Sequence, residues 1–199
     1  GREFSVTPAV LIPRPESALL VDEAIRRCAQ TPGATVVDVG TGSGCLAVSV
    51  ALALPTARVV AIDASADALV VARANMAQYG VGSRIACYHG DLLFPIAEES
   101  WAHQIQVIVS NPPYIADEDV AALQPEVREF EPRLALAGGP DGMDVHRRLL
   151  EQAPAYLKPG GVLLMEVGLG QAAAVCRQAE ERGQFHTYAV LQDEGGIDR

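Results

Sequence analysis

The sequence predicts an α/β fold: a mainly parallel, twisted sheet with helices on both faces. Three observations carry that prediction. Short β-branched runs alternate with helical stretches of crossover length. The runs end at turn residues, as strands do before a crossover. No internal repeat or low-complexity linker interrupts the alternation. Strands separated by helices of ~10–15 residues imply right-handed βαβ units and parallel pairing.

The elements follow in order. Residues 3–12 read as a short strand or hairpin leading into Pro13-Arg14-Pro15-Glu16. Val21, Ile25 and Cys28 fall at i, i+4 and i+7, the spacing of a helix face. Residues 35–39 form a β-branched strand ending at glycine, and residues 45–54 are almost all apolar, as in a helix laid on a sheet. Residues 58–62 make a second strand, ending at Asp63; a helix over 65–79 opens on the capping residue Ser65 and stops at Gly80. Residues 84–88, 105–109 and 162–167 are further strands, and 185–191 reads as one more, followed by the turn Asp193-Glu194-Gly195-Gly196. A turn there would feed another strand beyond Arg199.

Composition bounds the function. The chain has 199 residues, with 15 Lys and Arg against 25 Asp and Glu, a formal net charge of −10. That length suits one domain, and 49% hydrophobic with 20% charged residues is globular. No apolar run approaches the ~20 residues of a membrane span, and the first residues lack the pattern of a signal peptide, so a soluble, cytoplasmic protein is expected. The acidic balance argues against a partner held by phosphate contacts, so direct nucleic-acid binding is not expected. The one lysine, Lys158, precedes Pro159, which excludes a GxxxxGK[ST] phosphate loop. Cys28, Cys45, Cys87 and Cys176 make no CxxC pair and read as reduced, mostly buried thiols. His89, His103, His146 and His186 make no HExxH, so no metal site is expected, and no serine stands in a GxSxG elbow.

Asp38-Val39-Gly40-Thr41-Gly42-Ser43-Gly44 links a predicted strand to a predicted helix. Glycines allow the tight turn and a close approach to a ligand, and the helix N-terminus offers free N–H groups. In a dinucleotide fingerprint the third glycine comes five residues after the first. Here it comes four after, which suits the methionine end of S-adenosylmethionine better than a pyrophosphate. Asp63, at the end of the next strand, is placed to accept both hydroxyls of a ribose. Asp91, ending the third strand, could reach an adenine amino group while Leu92 packs on the ring; capping of the following turn is the alternative role for Asp91.

Ser110-Asn111-Pro112-Pro113-Tyr114 follows the fourth strand, at the end where open α/β sheets bind ligands. The Asn111 side-chain oxygen and the Pro112 carbonyl could grip a planar NH₂ group. Two prolines stiffen the loop. Tyr114 could cover the flat face of the substrate. Such a clamp suits a conjugated nitrogen aimed at a methyl group.

With the glycine loop, Asn111 to Tyr114, Leu11-Ile12-Pro13-Arg14-Pro15-Glu16 and Glu131-Pro132-Arg133-Leu134-Ala135-Leu136 followed by Gly142, the chain resembles the HemK/PrmC methyltransferases over nearly its whole length. The resemblance implies the Rossmann-like class I S-adenosylmethionine-dependent methyltransferase fold. It implies transfer of a methyl group to the glutamine of the Gly-Gly-Gln motif of peptide chain release factors. It also implies the site: Asp38, Gly40, Thr41, Gly42, Ser43, Gly44, Asp63, Asp91, Leu92 and Asn111 on the cofactor, with Asn111, Pro112, Pro113 and Tyr114 on the reacting amide. Arg14 and Glu16 are expected at the rim of the site, closing over cofactor and substrate; the alternative is N-terminal capping by Glu16 and a solvated Arg14. The division is then residues 1–16 as a leading segment and 17–199 as the catalytic domain, without the family's N-terminal helical domain and last strand. Ser17 stands where threonine is usual. Asn-Pro-Pro-Tyr is shared with adenine and guanine amino-methyltransferases, so a nucleic-acid acceptor is the alternative; a non-catalytic cofactor-binding subunit is a third, against which the intact clamp argues.

Overall fold

The computed structural model describes residues 2–97 and 101–199. Five strands, β1 (Thr35–Val39), β2 (Arg58–Asp63), β3 (Ile85–His89), β4 (Ile105–Ser110) and β5 (Leu157–Met165), form one sheet in the order β3-β2-β1-β4-β5. Every neighbouring pair is parallel. The helices are α1 (Ala18–Cys28), α2 (Cys45–Ala53), α3 (Ala66–Gln78), α4 (Pro125–Phe130), α5 (Asp144–Gln152) and α6 (Ala172–Arg182).

Alternation along the central strands builds the two core layers. Val36, Val59, Ala61, Val107 and Val109 face α1, α2 and α3 through Leu20, Ala24, Leu46, Val50, Ala72 and Met76. Val37, Val39, Val60, Ile62 and Ile108 point the other way, onto Leu93, Ile96, Trp101 and Leu149. Successive side chains of a strand take opposite faces, so a run apolar at every position must be covered on both. β1 and β4 are buried along their whole lengths. The doubly covered parallel sheet is the fold predicted.

β1 is flanked by β2 on one side and β4 on the other, so the crossovers leaving β1 and β4 diverge. The crevice opened at such a reversal is where open α/β sheets hold ligands. The glycine loop leaves β1, and Asn111 leaves β4. Among the described residues, no helix is long and apolar enough to cross a membrane.

Three predicted elements differ. Residues 3–12 form no strand. They run along α3, where buried Asn75 accepts from the Ser5 N–H and donates to the Ser5 carbonyl, each at 2.9 Å. A side chain thus satisfies the backbone groups that a sheet neighbour would have taken. Residues 185–191 form no strand either, since none of the described residues pairs with them in a sheet; the turn after them is real, closed by Gly196 donating to the Asp193 carbonyl at 2.9 Å. β5 begins five residues before the predicted start and ends at Met165, leaving Glu166 and Val167 beyond it. The Lys158-Pro159-Gly160-Gly161 stretch carries a register shift that the apolar pattern could not reveal. All four cysteines are free thiols, Cys28 buried and the other three half-buried.

Candidate active site

A cavity of about 250 Å³ opens at the carboxyl ends of the strands. Its walls come from the glycine loop, the turns after β2 and β3, the segment after β4, the leading segment and α5.

The glycine loop is held from below. Gly40 and Thr41 both donate to the Ile62 carbonyl, at 2.8 and 3.0 Å, so the loop continues the β1–β2 ladder. Asp38 is fully buried beneath it; its Oδ2 accepts from Thr41 Oγ1 at 2.7 Å and from the Ala47 N–H at 3.1 Å. Burial pushes the Asp38 carboxyl up to about 7 despite those two donors, and its Oδ1 has no partner among the described residues. Asp38 therefore braces the loop against the start of α2 and does not line the cavity, a correction to its predicted contact with the cofactor. Gly44 is likewise off the cavity wall. Its φ is +79°, and a Cβ there would come within 3.2 Å of the Ala72 side chain, so it serves the close packing of the loop on α3. Gly40, on the cavity wall, has φ +72°, and a Cβ on it would meet no protein atom within 4 Å. Thr41, Gly42 and Ser43 line the cavity as well.

Asp63 sits at the end of β2, 9% exposed and on the cavity wall. Its two oxygens accept from Gly42 N and Ser65 N, both at 2.8 Å. Burial raises its pKa, against the pull of these N–H groups. Each oxygen keeps a lone pair, so the carboxylate can still receive hydroxyl donors. Asp91 and Leu92 reach the wall too, Leu92 with φ +47°. Asp91 is exposed and ion-paired with Arg148 of α5, which also lines the cavity. Sequence reasoning missed Arg148, because nothing in its spacing brings α5 to the turn after β3.

Asn111, Pro112 and Pro113 line the opposite wall. Asn111 Nδ2 donates to Ser17 Oγ at 3.0 Å, which leaves Oδ1 as the atom able to accept. Tyr114 does not line the cavity, contrary to its predicted role as a lid. Its hydroxyl turns to Glu166 Oε1 at 3.4 Å, and its carbonyl accepts from Gln171 Nε2 at 2.9 Å. A buried carboxylate draws the nearest donors, and Glu166 is 3% exposed.

Arg14 is on the wall, as expected, with its guanidinium committed to Glu131 at 2.7 and 2.8 Å. Glu131 is 6% exposed and also accepts from the Ile12 N–H at 3.4 Å, so this pair ties the leading segment to residues 131–136. Glu16 departs from both of its predicted roles. It makes no capping bond at the start of α1 and faces a separate, smaller cavity together with Arg199. Ser17, Glu131 and Glu166 were given no role by the motif reading. Ser17 and Glu131 stood in or beside the quoted motifs, and Glu166 lay inside the predicted strand 162–167, but no signal in the sequence brought the three to the site. Among the described residues, no three His, Cys, Asp or Glu side chains converge on a metal position.

Comparison with known proteins agrees with this geometry. Residues 16–130 match the family model described as the methyltransferase small domain. The chain is 45% identical over all 199 residues to the release factor glutamine methyltransferase of Geobacter sulfurreducens, spanning 67% of that protein's length. It is 44% identical over 173 residues to the ribosomal protein uL3 glutamine methyltransferase of Burkholderia pseudomallei, covering 84% of this chain and 56% of that one. The solved release factor-specific protein-(glutamine-N5) methyltransferase of Alicyclobacillus acidocaldarius superimposes with a TM-score of 0.59 at 35% identity, over 98% of this chain and 95% of that chain.

Proposed function

Since the chain belongs to the release factor glutamine methyltransferase family, we propose that it methylates the glutamine of the Gly-Gly-Gln motif of peptide chain release factors, with S-adenosylmethionine as donor. The cradle fits that donor. Gly40 lines the cavity with open space where any other residue would place a Cβ, and Asp63 stands on the cavity wall with lone pairs to spare. When bound, S-adenosylmethionine supplies an electrophilic methyl group.

The chain's own residues prepare the acceptor. An amide nitrogen is a poor nucleophile because its lone pair is delocalised into the carbonyl. Asn111 Oδ1 and the Pro112 carbonyl would accept its two N–H bonds. Those acceptors favour the pyramidal, partly positive nitrogen of the transition state over the planar ground state, which is differential binding. Pro112 and Pro113 hold the loop stiff, so alignment costs little at the moment of reaction. No deprotonation need come first: the nitrogen lone pair would form the new C–N bond as the donor's S–CH3 bond breaks and the sulfur keeps that electron pair, and the N–H proton would then pass to solvent.

The observation that carries this reading is one cavity with the glycine loop after β1 on one wall and Asn111-Pro112-Pro113 after β4 on the other. A ribosomal-protein glutamine is the second reading, favoured by the 44% identity to the uL3 enzyme. Both use the same amide chemistry. The formal charge of −10 argues against a nucleic-acid acceptor. Labelled methyl transfer to release factor, ribosomal protein uL3, RNA and DNA in parallel tests the proposal; label in release factor alone is expected, and label in nucleic acid alone would overturn it.

A further inference from the structure

We propose that Ser17 and Glu166 are positioning residues that fix which way the Asn111 amide faces, through a one-directional chain of hydrogen bonds. The inference rests on reading Asn111 as the acceptor for the glutamine amide.

An asparagine side chain has two ends of nearly equal shape and opposite hydrogen-bonding sense, an acceptor oxygen and a donor NH₂. The clamp works only with Oδ1 toward the substrate; with the ends exchanged, two NH₂ groups would meet. The prolines after Asn111 stiffen the backbone but leave its last side-chain torsion, which is broad and roughly two-fold, unset. Something else must choose.

Ser17 makes the choice. Its hydroxyl donates to Glu166 Oε2 at 2.6 Å. An ionised carboxylate only accepts, so the single serine proton is committed there. The serine oxygen is then left to accept, and it does so from Asn111 Nδ2 at 3.0 Å. A reversed amide would set Asn111 Oδ1 against an oxygen with no proton to give. Ser17 is 5% exposed and Glu166 3%, so water does not compete for these bonds.

Glu166 is itself well fixed. Its N–H donates to the Ser110 carbonyl at 3.0 Å, and its own carbonyl accepts from His146 Nε2 of α5 at 2.8 Å. The pairing of Ser110 with Met165 sets Glu166 beside the clamp. Ser17 lines the active-site cavity while Glu166 lines the smaller one, so the chain runs through the wall between them. Glu166 has no place in the cavity; it reaches Asn111 through Ser17, while its other oxygen accepts from the Tyr114 hydroxyl at 3.4 Å.

The test is single-turnover methyl transfer to release factor, with cofactor affinity and melting temperature recorded for each variant. Ser17→Ala should slow transfer by ~10- to 10²-fold, the scale of a misaligned reacting group, with cofactor affinity unchanged. Ser17→Thr keeps the hydroxyl and should restore the rate. Glu166→Gln keeps the shape but adds a donor, so the chain can run either way; a loss of roughly 10-fold is expected, from the same misalignment. In the Asn111→Ala background, Ser17→Ala should cost nothing more, since its effect passes through the missing amide. A wild-type rate in Ser17→Ala, or an equal slowing in both backgrounds, overturns the relay even when Asn111→Ala is inactive. A wild-type rate in Asn111→Ala overturns instead the clamp on which the relay rests. If Ser17→Ala does not fold, Glu166→Gln decides, and full turnover in that variant refutes the relay.

Discussion

The two loops that meet across the switch point are built in opposite ways. The glycine loop after β1 is braced from nearby in the chain: Asp38 takes Thr41 three residues on and Ala47 nine on, and Asp63 takes Gly42 from 21 residues away. The clamp after β4 is braced from afar, by Ser17 at 94 residues from Asn111, with Glu166 a further 149 from Ser17. A cofactor loop built mainly by one βαβ unit can form as that unit forms. The acceptor clamp exists only once β5 and the start of α1 have docked beside β4. Damage to the first should therefore show as lost cofactor affinity, and damage to the second as lost turnover with the cofactor still bound.

The largest expected effect breaks the clamp itself. Asn111→Ala should reduce the methyl-transfer rate by ~10²-fold or more, the usual cost of one preorganised electrostatic contact. Calorimetry should show cofactor affinity changed much less. A variant that loses both equally would erase the distinction between the loops.

Asp63→Ala is the complementary break. It removes the carboxylate from the cavity wall and the acceptor for Gly42 N. Cofactor binding should weaken by about 1.5–3 kcal/mol, the range for charge-assisted hydrogen bonds. At saturating cofactor, turnover should recover toward the wild-type value; a kcat that stays low would place Asp63 in the acceptor half.

The same contrast of near and far explains what could be read from sequence. The five strands were legible because a β-branched run bounded by turn residues is a local signal, and Ser65 caps α3 by accepting from the Ala68 N–H at 3.1 Å, as its position implied. The loop residues were legible because a motif is local too. Residues 3–12 and 185–191 were misread because strand character also requires a neighbour, which no local pattern supplies. The roles of Ser17, Glu131, Arg148 and Glu166 were illegible for the same reason: each acts through a partner more than 50 residues away. Asp38, Gly44 and Tyr114 were identified with the correct loops but not with the correct side of them.

Arg14→Ala probes a third brace, again long-range. The change strands the buried Glu131 carboxylate without its cation. Arg14 is one-third exposed, so water partly screens the loss, and about 1–3 kcal/mol of stability should go with it. Thermal denaturation checks this. A rim role alone would leave the melting temperature where it was and lower transfer to release factor.

Glu16→Ala should produce the smallest effect, and it sharpens the comparison through pH. Glu166 must be ionised to hold the serine proton. Burial raises its pKa; the Ser17 hydroxyl, Arg199 near the end of the chain and the Tyr114 hydroxyl pull it down, while Glu16 pushes it up, and His146 of α5 touches only its carbonyl. A raised carboxyl pKa means that the charged form is lost early as pH falls, so turnover should drop on the acid side through that pKa while cofactor binding follows a separate course. Removing Glu16 takes away one upward push. The acid limb of the rate profile should move to lower pH, with stability within about 0.5 kcal/mol of wild type, as for an exchange that breaks no buried contact. Glu16 makes no capping bond and lines only the smaller cavity, so turnover at neutral pH should stay unchanged. An acid limb that stays in place in Glu16→Ala but vanishes in Glu166→Gln would still assign the titration to Glu166. A limb that survives in Glu166→Gln would move it to another group and remove the charge argument from the relay.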